Sequence, residues 1–158
     1  MKIAYIGIDL FYPAPLWLQN AGAEIAEVFT CKTDNVTEFN TKVIAFAKEN
    51  KIPYTLSRIT AEDIKRLRES GVHAAVCAGY YYKIPVTEDF PIVNIHPSLL
   101  PLGRGSWPMP HAILSGAEKS GVTIHKIAEG FDTGDILMQE SFNLAPDENL
   151  DTFMEKAL

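Results

Sequence analysis

The sequence predicts an α/β protein, a three-layer sandwich around a mostly parallel central sheet. Three observations predict it. Short apolar runs alternate along the chain with stretches that repeat their apolar residues at helical spacing. The links between these segments are short and carry Gly, Pro, Asn or Asp. No internal repeat, low-complexity segment or linker interrupts the 158 residues. They are therefore expected to form one domain, 1–158, that buries about two-thirds of its unfolded surface.

Lys2–Ile8 is the first buried strand and closes on Gly7-Ile8-Asp9. Pro13 and Pro15 open a helix through Trp17, Leu18 and Ala21 that Gly22 stops. Glu24–Thr30 is the second strand. Thr37 or Asn35 then caps a helix with Phe39, Val43, Phe46 and Ala47 on its apolar face. Ile52–Leu56 is a brief third strand. Thr60-Ala61-Glu62-Asp63 has the form of a capping box, and the helix it starts carries Ile64 and Leu67 and ends at Gly71. Val72–Ala78 and Ile92–Ile95 are apolar strands, and Trp107–Leu114 is a helix ending near Gly116. Val122–Ile127 and Ile136–Phe142 are the last strands, and Asp147–Leu158 starts a helix with Leu150, Phe153, Met154 and Leu158 on one face.

Composition narrows the function. Hydrophobic residues at 47% and charged residues at 22% are ordinary for a soluble globular protein. A net charge of -6 argues against broad electrostatic binding of nucleic acid, so no nucleic-acid partner is expected. No apolar run approaches the roughly 18 residues that a membrane span requires, so no membrane partner is expected either. Cys31 and Cys77 are too few for a disulfide framework, and Cys77 lies within an apolar run, which suits a reducing, cytoplasmic location.

The chemistry concentrates in two segments. Asn94-Ile95-His96-Pro97-Ser98-Leu99-Leu100-Pro101 sets an amide and an imidazole two residues apart at the end of a strand, hence on one side of it. Phe131-Asp132-Thr133-Gly134-Asp135 brings a carboxylate from a tight turn. An amide, an imidazole and a carboxylate can polarise a carbonyl, hold an oxyanion and move a proton, so an acyl-transfer site is expected. Ser98 lacks the Gly-x-Ser-x-Gly elbow of a nucleophile. His125, inside an apolar strand, reads as a structural histidine. The layout is Rossmann-like, and ligands bind such sheets beyond the carboxyl ends of the strands, where the loops 9–14, 79–83, 96–105 and 129–134 fall. Yet Gly7-Ile8-Asp9-Leu10-Phe11-Tyr12 has one glycine where a dinucleotide loop needs three, so a nicotinamide or flavin is not expected.

Asn94–Pro101, Arg104-Gly105, Gly121-Val122-Thr123-Ile124-His125 and Asp132-Thr133-Gly134-Asp135-Ile136-Leu137 resemble the formyltetrahydrofolate-dependent formyltransferases, in order and at suitable spacing. The likeness covers nearly the whole chain. It implies a catalytic domain like those of the methionyl-tRNA, sugar-amine and glycinamide ribonucleotide enzymes, with 10-formyltetrahydrofolate as the formyl-donating cosubstrate. Asn94, His96 and Asp132 match the family's catalytic set. Asn94 and His96 would stabilise the oxyanion formed when an amine attacks the formyl carbon, and Asp132 would help carry the amine proton through water; no metal is required.

The same resemblance implies folate contacts from Ala78, Gly79, Tyr80 and Tyr82, and from Glu129, Gly130 and Phe131. Substrate contact is expected from Ser98, Arg104, Gly105, Asp9 and Phe11, although Ser98 also suits a local hydrogen bond. Arg104-Gly105-Ser106-Trp107-Pro108 looks like the Arg-Gly-x-x-Pro segment of the tRNA and sugar branches, and the bulky, apolar stretch to Pro110 favours an amino-sugar nucleotide as the acceptor. The alternatives are a formyltetrahydrofolate hydrolase and a folate-binding domain without turnover. Family domains usually run on beyond this C-terminal helix, which implies a truncated or compact member; a homodimer remains open.

Overall fold

A computed structural model describes residues Met1–Leu158 and divides into two compact units, Met1–Val93 and Asn94–Leu158. The first unit is built on strands β1 (Lys2–Gly7), β2 (Glu24–Phe29), β3 (Tyr54–Thr55) and β4 (Ala74–Ala78), in the order β3-β2-β1-β4. All three pairings are parallel. Strand β1 is central, so Ile3, Ala4, Tyr5 and Ile6 are wholly buried and its run is continuously apolar rather than alternating. Its register sets Ile6 beside Phe29 and Gly7 beside Ala78. The chain therefore leaves β1 and β4 at the same level, which places the loops that follow them side by side.

Helices α1 (Pro13–Asn20), α2 (Thr41–Glu49) and α3 (Ala61–Glu69) connect these strands. The capping box at α3 forms as expected: the Asp63 amide donates to Thr60 Oγ1 at 3.2 Å and the Thr60 amide to Asp63 Oδ2 at 3.0 Å. Arg66 on α3 reaches back to Glu27 at 2.8 Å, which neutralises the one buried carboxylate of β2. The start of α2 differs from expectation. Asp34 Oδ1 accepts from the amides of Val36 and Thr37, a local turn that competes with helix, and Asn35 is left-handed. Helix therefore begins only at Thr41, and Phe39 is left exposed.

The second unit takes up the end of β5 (Ile92–His96), then β6 (Lys119–Lys126) and β7 (Ile136–Asn143), with helices α4 (Pro108–Leu114) and α5 (Leu150–Ala157). Strands β6 and β7 are antiparallel, with Gly121 opposite Ser141 and Thr123 opposite Gln139. Both exceed the apolar runs that announced them, because ladder pairing continues through polar residues such as Lys119 and Ser120. Asn149 caps α5, accepting from the amides of Asp151 and Thr152, and Phe153 packs edge-on to Phe142 with ring centroids 5.2 Å apart. Cys31 and Cys77 are both buried, and no helix is long and apolar enough to cross a membrane.

Candidate active site

The second unit by itself brings Asn94, His96, His125 and Asp132 together. Asn94 and His96 share one side of β5 by its pleat, His125 is the last residue but one of β6, and Asp132 stands in the loop that follows. Asp132 has a left-handed backbone, φ 52°, a conformation that Asp tolerates better than most side chains. Gly134 then folds so tightly against the Lys126 carbonyl that a β-carbon would collide with it. Lys126 braces the same turn through Asp135, at 3.1 Å.

Asp132 lies between two imidazoles. Its Oδ1 is 3.4 Å from His125 Nε2 and its Oδ2 is 3.7 Å from His96 Nδ1. Oδ2 also accepts from the Gly105 amide at 2.8 Å. Burial alone would raise its pKa. Hydrogen bonding from His125 and Gly105, with the charge of a protonated His96 or His125, outweighs that and holds the carboxyl below its ordinary range. Asp132 is thus a carboxylate at neutral pH.

The far nitrogen of each ring is anchored to backbone. His96 Nε2 donates to the Gly103 carbonyl at 2.8 Å, which leaves Nδ1 toward Asp132 to take a proton. His125 Nδ1 donates to the Lys126 carbonyl at 2.9 Å. Its Nε2 lies 3.1 Å from the Asn94 amide and 3.4 Å from Asp132 Oδ1: unprotonated, it accepts one N–H of Asn94 and leaves the second for another acceptor; protonated, it donates to Asp132. His125 is therefore not the isolated structural histidine that its apolar strand implied. The pleat could have shown this, since His125 and Thr123 share the inward side of β6.

The loop after β5 is held by groups that sequence reasoning passed over. Thr123 Oγ1 donates to the Ser98 carbonyl at 2.6 Å and accepts from the Leu100 amide at 3.2 Å. Gln139 donates to Thr123 Oγ1 and to the Leu100 carbonyl, each at 2.9 Å. Gly103 has φ +67°, and a β-carbon there would lie 2.9 Å from Ser98 Cβ, so only glycine sets this carbonyl against His96.

The remaining expected residues divide. Ser98 is buried and donates to the Leu102 carbonyl at 2.8 Å, so its hydroxyl is engaged locally and not at a substrate. Asp9 is committed to the start of α2, where it accepts from Lys42 and Val43 amides at 2.9 Å each and from Thr41 Oγ1 at 3.1 Å. Phe11 is core, packed where a β-carbon on Gly79 would meet it at 3.2 Å. Asp9, Phe11 and Ser98, expected as substrate contacts, are thus each engaged within the fold. Arg104 is exposed and makes no hydrogen bond or ion pair, and Gly105 holds Asp132.

In the first unit, Ala78 ends β4 and Gly79 turns with φ +68°, a bare stretch of backbone that a flat ring can approach. Tyr80 accepts the Ile59 amide at 3.0 Å, and its burial pushes its phenol up to about 12; Tyr82 stands edge-on to it at 5.5 Å. In the second unit, Glu129, Gly130 and Phe131 are exposed on the turn that Thr133 fastens to the Gly130 carbonyl at 3.0 Å.

A half-buried carboxylate flanked by two imidazoles and an amide, in the loop after a strand of a Rossmann-like α/β fold, fits a protein of the carbonyl group-transfer class. The chain belongs to the formyl transferase family, whose model matches residues 17–158. It is 38% identical over 108 residues to the methionyl-tRNA formyltransferase of Ehrlichia ruminantium (strain Gardel), covering 66% of this chain and 35% of that one. It is 36% identical over 161 residues to that of Syntrophomonas wolfei, covering 95% and 51%. The chain thus spans about half or less of these relatives' length. Among solved structures, phosphoribosylglycinamide formyltransferase from Bacillus halodurans matches with a TM-score of 0.80 at 28% identity, over 99% of this chain and 87% of that one. A formyltetrahydrofolate deformylase from Pseudomonas syringae shares the fold, with a TM-score of 0.77 at 18% identity over 98% and 56%. Relatives named for methionyl-tRNA stand against the exclusion of nucleic acid drawn from net charge. Net charge averages over a surface, and a local basic patch is enough to hold a phosphate.

Proposed function

We propose that this protein transfers the formyl group of 10-formyltetrahydrofolate to a primary amine of a small molecule, and that the acceptor is an amino-sugar nucleotide. The observation that carries the reading is the ionised Asp132 between His96 and His125, with Asn94 held so that one N–H stays available. The formyl folate supplies a carbonyl carbon activated by its nitrogen. Attack by the amine forms the new C–N bond, and loss of the folate nitrogen breaks the old one. A proton must then pass from the amine to that nitrogen.

Each step has a group suited to it. The second N–H of Asn94 donates to the formyl oxygen as its charge develops, a contribution of about 100- to 1,000-fold for one such donor. His96 takes a proton at Nδ1 beside Asp132, and the cation so formed adds to the stabilisation of that oxygen. Asp132 receives the amine proton, directly or through water, and passes it on to the departing folate nitrogen, acid–base assistance that commonly contributes about 100- to 10,000-fold. His125, with Nε2 unprotonated, fixes the Asn94 amide. For the donor, Glu129, Gly130 and Phe131 of the second unit are the proposed contacts.

For the acceptor, Gly105 and Arg104 remain the proposed contacts. Leu102, Trp107 and Phe131 are exposed and apolar, which suits a sugar ring better than a bare phosphate. Tetrahydrofolate release, followed by absorbance with and without nucleotide-linked amino sugars, tests the reading. Release that depends on the amine supports it. Release without any amine would mark a hydrolase, and folate binding without release would mark a binding domain.

A further inference from the structure

Only two non-glycine residues of the second unit have a positive φ, Asp132 at 52° and Trp107 at 59°. Aspartate visits that conformation readily, whereas a bulky side chain there is a genuine outlier. Trp107 gains nothing evident in return. It stands at the N-cap of α4, where Ser, Thr, Asp or Asn would satisfy an amide, and it makes no side-chain cap. Its indole is 46% exposed, while Pro108 and Met109 beside it are buried. Backbone strain and an exposed aromatic ring both oppose stability, and such combinations persist where function holds them in place.

Its position is bounded by the chain. Gly103 and Gly105, whose carbonyl and amide fix His96 and Asp132, lie just before Trp107 in the same loop. Two peptide steps put its Cα within about 7 Å of that of Gly105. Phe131, next to Asp132, and Leu102, next to Gly103, are 69% and 73% exposed. The two loops that carry Gly103 and Asp132 thus expose large apolar side chains, with Arg104 as the one cation in the first of them.

We infer that Trp107 is the acceptor wall of this site: its indole stacks on the face of the sugar ring that carries the amine, and so selects ring-bearing amines for formylation. The inference rests on the proposed formyl transfer and adds the residue that chooses the acceptor. The C–H face of a hexose packs well on an aromatic plane, whereas a phosphate set there would lose water against three apolar side chains.

The chain has two tryptophans, so Trp17→Phe leaves Trp107 as the sole indole reporter. Titration of that variant with a nucleotide-linked 4-amino-4,6-dideoxyhexose should quench its fluorescence to saturation, and glycinamide ribonucleotide should not. Trp107→Gly should raise KM for the amino sugar at least tenfold, with kcat within threefold and the affinity for 10-formyltetrahydrofolate unchanged, and Trp107→Phe should recover most of the loss. Trp107→Gly should also melt no lower than the parent, since glycine relaxes the left-handed backbone; a clear fall in melting temperature would make Trp107 structural and overturn the inference. Amine-dependent transfer with the same KM in Trp107→Gly would overturn the inference and leave formyl transfer standing. No tetrahydrofolate release by the parent with any amine would overturn both.

Discussion

Replacing Asp132 by Asn separates chemistry from architecture at a single position. Asparagine keeps the shape, accepts the Gly105 amide hydrogen bond that Asp132 Oδ2 now takes at 2.8 Å, and tolerates the φ of 52°. What it removes is the charge 3.4 Å from His125 and 3.7 Å from His96, and with it the proton acceptor. Loss of acid–base assistance alone predicts a fall in kcat/KM of at least about 100-fold, equivalent to roughly 2.7 kcal/mol of transition-state stabilisation. The carboxyl is held below its ordinary range in the folded protein. Its contribution to stability is therefore fully present above the unfolded pKa of about 3.9 and is lost as pH falls through the folded value. The stability difference between parent and variant should accordingly be largest at neutral pH and close in acid, while the activity difference persists from pH 6 to 8. Tetrahydrofolate release gives the rate and urea unfolding the stability. A variant that folds normally and turns over within threefold of the parent would refute the role given to Asp132.

Other perturbations address the supports. Gly103→Ala meets both a left-handed backbone and Ser98 Cβ, so stability should fall by about 1–3 kcal/mol by urea unfolding, and activity should fall further than unfolding explains because the His96 anchor moves. Asp9→Ala should cost about 0.5–2 kcal/mol as the α2 start loses its acceptor, with the acceptor KM within threefold; a large KM rise at unchanged stability would return Asp9 to the substrate. Glu148, gripped by Lys156, Thr152 and the Ala145 amide, titrates at about 2. Glu148→Gln should therefore destabilise at pH 7, with the difference shrinking between pH 5 and 2; a gap that widens in acid would contradict the pairing.

Strand β1 was legible because a central parallel strand is apolar on both faces, and the Thr60–Asp63 box was legible because its two hydrogen bonds are local in sequence. The start of α2 was not, because its cap comes from Asp9, far away in the chain and visible only once β1 and α2 are packed. The same distinction divides the site. Asn94 and His96 announce themselves by a spacing of two, and Asp132 by its turn. The partners that set their protonation and direction are a glycine carbonyl, a glycine amide and a histidine on the next strand. The two glycine groups carry no local signal, since a backbone group is the same at every position; His125 carries one only in the pleat it shares with Thr123.

Asp9 and Phe11 are the reverse case: loop position suggested function, and the structure has the carboxylate serving as a helix cap and the ring as core. Position at the end of a strand is thus necessary for a site in such a fold and not sufficient. What distinguishes Asp132 from Asp9 is the nature of the partners: Asp9 faces amides that cannot titrate, whereas Asp132 faces two rings that can. A carboxylate facing groups that exchange protons can take part in a reaction cycle. One facing fixed donors can only hold the chain in place.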